Sequence, residues 1–169
     1  MSNHADLEWV FIDDSHIRAH QHATDINHQA ISKSIGGNNS KIHLAVDANE
    51  NPIEFIIGDG TTHDVKVAPR LIDLIGAVEY LVADKGYDSE KIREYAKNHT
   101  MIAVIPRKSN SAKSNPEFDA YLYKLRHLVE NAFARLKHFR SIATRFDKLA
   151  RNYKAMLRLA CIFIWCKAK

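Results

Sequence analysis

Apolar positions along the chain fall first into short unbroken or alternating stretches and later into helical periods. Trp9-Val-Phe-Ile12 is a continuous apolar run ending in Asp13-Asp14-Ser15, the pattern of a strand covered on both faces and hence central in its sheet. The polar segment Thr24–Ser40, with Gly36-Gly37 inside it, reads as a loop. Lys41–Asp47 alternates, Asp47–Pro52 is dense in turn formers and Ile53–Ile57 is apolar again, which predicts a hairpin. Thr62 or Asp64 is placed to cap a helix over Val65–Ile75. Val78–Ala83 predicts a further strand ending at Asp84. Asp88 or Ser89 opens a helix to about Asn98, and Met101–Pro106 is a fifth strand. A Ser/Asn/Lys-rich linker, Arg107–Pro116, leads to a helix over Tyr121–Lys137 and a final helix over about 148–166. The order is a hairpin-bearing sheet followed by alternating units, so the expected fold is a single α/β domain over 1–169: a mixed five-stranded sheet flanked by helices.

The helix over Tyr121–Lys137 carries two distinct faces. At about 100° per residue, Leu125, Val129, Ala132 and Leu136 share one, while Tyr123, Arg126, Glu130 and Lys137 fall within about 60° of arc on another. A solvated face with an Arg126–Glu130 pair accounts for that pattern on its own. The strands add weight to a functional reading. Two of them end in a carboxylate, Asp13 and Asp84, and the carboxyl ends of central strands are where open α/β sheets bind ligands. If the strands are neighbours, the aspartates lie side by side and the helix can bring Glu130 over them. Three like charges at such a distance repel unless a divalent cation sits between them. Oxygen-only ligation points to Mg2+ or Mn2+, and two such ions suit in-line phosphoryl transfer. Asp14, Asp47, Asp59, Asp64 and Asp88 are competitors with ready turn or capping roles.

Charge changes the picture further. The net charge is +4, but from Ala120 onward the acids are Glu130 and Asp147 alone, against a long series of lysines and arginines. This one-sided third suggests a polyanionic partner, most plausibly nucleic acid. Arg18, Lys85, Arg126, Lys137, Arg140 and Arg145 are the candidate DNA contacts; Arg126 is also placed to orient Glu130, with Tyr123 in support. His16, His20 and His22, with His28 nearby, invite a zinc site, but Arg18 would share their face and no cysteine is close, so phosphate contacts are the preferred reading. Cys161 and Cys166 lie on different faces of the last helix, as reduced buried thiols would. The longest apolar run, Leu159–Cys166, is far short of the ~20 residues that span a bilayer. No signal peptide pattern opens the chain, and a cytoplasmic protein is expected.

Ile12–Ala23, Lys41–Asp47, Val82–Asp88 and Ile142–Ala150 resemble bacterial insertion-sequence transposases. Tyr123, Arg126, Glu130 and Lys137 match the Tyr-x2-Arg-x3-Glu-x6-Lys signature of the insertion-sequence-five-like group. The resemblance runs from Val10 to Trp165. It implies a ribonuclease-H-like fold and a DDE triad at Asp13, Asp84 and Glu130. It also implies metal-dependent cleavage of transposon ends, transfer of the freed 3′ hydroxyl into target DNA, and a homo-oligomer on DNA. Family members usually carry a helical DNA-recognition region before the first catalytic strand, and little chain precedes Val10 here. The expectation is therefore a catalytic domain only, with end recognition supplied by an N-terminal region from a separate reading frame. A non-catalytic DNA-binding remnant or regulator, and a ribonuclease-H-like nuclease, are the competing functions.

Overall fold

The computed structural model describes residues 5–23, 29–111, 113–116 and 118–167. The sheet is built around β1 (Trp9–Ala19), which pairs antiparallel with β3 (Gly37–Val46) on one side and parallel with β5 (Tyr80–Ala83) on the other. β4 (Pro52–Asp59) borders β3, β6 (Ile102–Val104) borders β5, and these are the five strands read from the sequence. Two short strands extend them: β2 (Ser32–Ser34) forms a hairpin with the start of β3, and β7 (Thr144–Arg145) pairs with the end of β1.

Side-chain alternation along β1 divides the core in two. Val10 and Ile12 belong to a cluster closed by α1 (Asp64–Ile75) and α2 (Glu90–Asn98), through Leu71, Ile72, Ile92 and Ala96. Phe11 and Ile17 belong to the opposite cluster, closed by α3 (Ala120–Lys124), α4 (His127–Lys137), α5 (Arg140–Ala143) and α6 (Ala150–Lys167). α1 stops at Gly76, whose φ of 80° only glycine adopts without strain. α6 is pinned to the edge strand β4 by the Trp165 indole, which donates to the Pro52 carbonyl at 2.7 Å.

The structure corrects several boundaries. β1 does not stop at Ile12 but continues six residues past Asp13, because Ser15–Arg18 pair with Asn39–Ile42 of β3. The segment read as loop up to Ser40 therefore contains β2 and the start of β3; residues 24–28, including His28, lie outside the described residues. The N-cap of α1 is His63, with no side-chain capping bond, rather than Thr62 or Asp64. The predicted helix over Tyr121–Lys137 is broken at Leu125–Arg126, where the Arg126 and Leu128 amides donate to carbonyls three residues back. Cys161 is buried as expected, whereas Cys166 is exposed.

Candidate active site

The parallel pairing of β1 and β5 ends at Ile12 opposite Ala83, so the next residues, Asp13 and Asp84, emerge side by side. Their positions differ in kind. Asp84 follows the last residue of β5, while Asp13 lies within β1, its open edge uncovered because β5 has ended. Each carboxylate is held by its own backbone: Asp13 Oδ1 accepts the Asp14 amide at 2.8 Å and Asp84 Oδ1 accepts the Gly86 amide at 2.7 Å. A Cβ at position 86 would stand 2.8 Å from Asp84 Oδ1 and 3.1 Å from Asp64 Oδ2, so a larger residue there would displace the Asp84 carboxylate.

Asp13 points to the face carrying α4. There Arg126 donates through Nη1 to Asp13 Oδ2 at 2.5 Å and through Nη2 to Glu130 Oε1. The Arg126–Glu130 pair read from spacing is present, and the same guanidinium gathers Asp13 into it. Burial pushes the Asp13 carboxyl up to about 6; Asp84 and Asp14 add to the rise, while the Asp14 amide and Arg126 oppose it. About two turns beyond Glu130 along the same side of α4, Lys137 Nζ donates to Ser15 Oγ at 2.7 Å. Tyr123 sits before the break, packed on Phe118 with ring centroids 5.3 Å apart.

The expected direct convergence of three carboxylates takes a different form. Among the described residues no three His, Cys, Asp or Glu side chains are grouped tightly enough to hold a metal ion. The positive centre between Asp13 and Glu130 is the Arg126 guanidinium, standing where a cation is demanded. The donor set nonetheless fits a hard divalent ion: it is all oxygen, it carries excess negative charge, and burial already makes the charge on Asp13 costly.

On the opposite face lies a network that sequence reasoning missed. Asp14 and Lys41 are brought together by the β1–β3 pairing, and Lys41 Nζ bridges Asp14 Oδ2 at 3.1 Å and Asp64 Oδ1 at 2.5 Å. His43 lies fully buried with Nδ1 3.7 Å from Asp64 Oδ1, and burial lowers its pKa to about 4. Burial and then Asp64 raise the Asp14 carboxyl. The available signal was the alternation itself, which puts Lys41 and His43 on one face of an otherwise apolar strand. Asp14 and Asp64 are thus neither turn nor cap residues. Asp47 and Asp59 do serve turns, accepting from Asn49 and Asn51 and from Thr61; Asp88 ties Arg93, Arg107 and the Lys108 amide together.

The other candidate DNA contacts separate into two groups. Arg18, Lys85, Lys137 and Arg140 are exposed. Arg145 is fully buried, and this removes it from the list. Its guanidinium donates to the Asp147, Ala30 and Lys148 carbonyls and to Ser40 Oγ, and lies over the Tyr153 ring. Every direction in which it points is filled by protein. Arg126 is likewise occupied, by carboxylates.

A profile of the transposase DDE domain matches residues 5–165. The chain belongs to the DDE transposase family. The transposase domain is 30% identical over 128 residues to a putative transposase for insertion sequence element IS6501 from Brucella ovis, covering 76% of this chain and 98% of that one. A putative transposase for element IS402 from Burkholderia cepacia is 34% identical over 136 residues, 74% of this chain and 62% of its own length. The transposase for element IS1106 of Neisseria meningitidis serogroup B is 28% identical, with 44% of its length covered. The catalytic core domain of BIV integrase shares the fold, with a TM-score of 0.52 over 92% of this chain and 82% of that one at 18% identity. The domain is therefore a ribonuclease-H-like transposase catalytic domain, the core of an enzyme that cuts and joins DNA. No helix among the described residues is long and apolar enough to cross a membrane.

Proposed function

We propose that Asp13, Asp84 and Glu130 are the catalytic carboxylates, that they hold Mg2+ or Mn2+, two ions in the working complex, and that the domain cleaves transposon ends and joins the freed 3′ hydroxyl to target DNA. The observation that carries this reading is the emergence of Asp13 and Asp84 from paired parallel strands, with Glu130 joined to Asp13 across one guanidinium. When bound, divalent ions of this kind activate the attacking oxygen and stabilise the leaving one. The protein's part is orientation. The Asp14 and Gly86 amides fix the two aspartates, and Arg126 keeps Asp13 and Glu130 on one centre of positive charge. Lys137, beside Ser15, and Lys85, next to Asp84, supply ammonium groups for phosphates flanking the scissile one; Arg18 and Arg140 extend the basic surface. Assembly as a homo-oligomer on DNA, and end recognition by a further region, belong to the same reading.

The test is a nicking assay on supercoiled plasmid and transposon-end duplexes with Mg2+ or Mn2+, alongside calorimetric titration of Mn2+. Asp13→Asn, Asp84→Asn and Glu130→Gln are each expected to abolish nicking and weaken Mn2+ binding while circular dichroism stays native. Variants that bind Mn2+ and nick DNA like the parent protein would take the three carboxylates out of the chemistry, and a parent protein that binds DNA without nicking it would leave only a DNA-binding role.

A further inference from the structure

Past Asp14, the face of β1 that carries Val10 and Ile12 emerges from under α1 and α2. His16 and Arg18, which share that face, are exposed. β7 pairs Thr144 with Arg18 and Arg145 with Ala19, and the His20 amide donates to the Arg145 carbonyl at 2.8 Å. This pairing delivers the next residue, Phe146, beside His20. Their ring centroids lie 4.8 Å apart at 31°, and His22 packs against His20, also tilted, at 4.9 Å and 37°. Arg145 turns inward while Phe146 stays 54% exposed. Beyond Arg18 the surface continues as a groove lined by His16, Ser34, Ile35, Gly36 and Asn39.

Three rings packed in tilted pairs at the surface, with the exposed Arg18 guanidinium two residues before His20, have a definite ligand chemistry. The rings offer flat, weakly polar area, and Arg18 offers a fork for phosphate. Bases inside a duplex keep their faces covered, so the ligand that uses such a surface is a nucleotide of an unpaired strand. Arg18 lies five residues along β1 from Asp13, about 16 Å, or roughly five nucleotide steps of a stacked strand. Asp13 faces α4 on the other side of β1, so a strand held by the rings reaches the carboxylates around the end of β1 rather than across one face.

We propose that His20, His22 and Phe146 form a stacking platform for an unpaired nucleobase of the DNA strand, with Arg18 holding its phosphate. This rests on DNA being the substrate, and adds to it a site that reads the base plane rather than the backbone.

The experiment measures fluorescence anisotropy of the full chain, without divalent ions, on labelled oligothymidylate and on an abasic strand of the same length. The parent protein is expected to prefer the base-bearing strand by roughly five- to 150-fold. Phe146→Ala and His20→Ala should lose that preference while keeping their affinity for the abasic strand and their salt slope; Phe146→Tyr should restore it. Arg18→Ala should weaken binding to both strands alike and lower the salt slope by about one. Thermal unfolding monitors the fold, and Phe146→Trp, whose emission should be quenched by thymidylate but not by the abasic strand, reads the site directly. A parent protein indifferent to bases, or a Phe146→Ala variant that keeps the full preference, overturns the platform. Nicking by the same preparations separates the two readings. A chain that nicks DNA but ignores bases loses only the platform, and one that neither binds nor nicks DNA loses both.

Discussion

Asp13 and Asp14 occupy consecutive positions of one strand, and the sheet puts them in different surroundings. Asp13 meets a guanidinium from the residue that caps α4, shared with an exposed glutamate. Asp14 meets an ammonium that rises from the adjacent strand and is clamped against a second carboxylate, with a buried imidazole behind it. Both carboxyls are raised by burial. The difference lies in the counter-charge: the Arg126 side chain is 23% exposed, while that of Lys41 is 10% exposed and held between two carboxylates. One aspartate is arranged to exchange its partner for another cation; the other is a strut that ties β1, β3 and the start of α1 together.

The largest expected effect tests that division directly. Asp13→Asn should reduce metal-dependent nicking by on the order of 10^3-fold or more, since several kcal/mol of charge stabilisation is removed. Asp14→Asn should stay within about tenfold of the parent, because Lys41 keeps Asp64. Single-turnover cleavage of an end duplex checks both, and the reverse ranking would exchange the roles of the two faces.

Stability should show the opposite ranking. Lys41→Met leaves two carboxylates facing each other with no counter-charge, and should destabilise the fold by about 3–5 kcal/mol. Arg126→Met breaks pairs that are partly open to water and should cost about 1 kcal/mol or less. Urea unfolding of the metal-free protein compares the two; equal losses would mean that Arg126 is a strut as well.

His43 and Asp13 should also respond to pH with opposite sign. His43 titrates at an ordinary 6.5 when unfolded and at about 4 when folded, so its contribution to stability is lost as pH falls through that window. Asp13 titrates at an ordinary 3.8 when unfolded and at about 6 when folded. Its protonation favours the folded state, so its contribution is lost as pH rises toward and through about 6. Each is worth roughly 3 kcal/mol, and in the parent protein they offset each other. His43→Gln should therefore make stability fall as pH rises from 4 to 6, and Asp13→Asn should make it rise. Urea midpoints at a series of pH values without divalent ions would show the slopes parting; parallel slopes would break the comparison. The smallest effect belongs to Lys137→Ala, expected to lower the salt slope of duplex binding by about one while leaving unfolding midpoints within about 0.5 kcal/mol of the parent.

The succession of strands along the chain was legible because each of the five main strands is a compact apolar or alternating run. That Asp13 and Asp84 each close an apolar run was legible; that the two strands are neighbours entered only as a condition, which the β1–β5 pairing meets. The Arg126–Glu130 pair followed from helical spacing alone. What lay outside local sequence was whatever a distant segment decides. Ser15–Ala19 looks polar because one face of that stretch is uncovered, and β3 holds it in the sheet all the same. Leu125 and Arg126 are good helix formers, so nothing in the local sequence announces the break between α3 and α4. Lys41 and Arg145 carry charges that composition assigns to the surface. Each is buried because acceptors from segments far apart in the chain converge on it.

The burial of Arg145 also bears on the order in which the molecule assembles. Its guanidinium closes contacts across 105 and 115 residues, to Ser40 and to Ala30, and β7 beside it completes the end of β1. Closing loops of that length is paid in chain entropy before any contact repays it, which makes such pairings slow. The half of β1 that carries Arg18 and leads into His20 is thus expected to be the last part of the sheet to form and the first to open. In native-state hydrogen exchange the amides of Ile17–His20 should exchange well before those of Val10–Ile12 in the same strand. A single continuous strand would then belong to two cooperative units, one folding with the local β1–β3–β4 meander and the other waiting for the end of the chain.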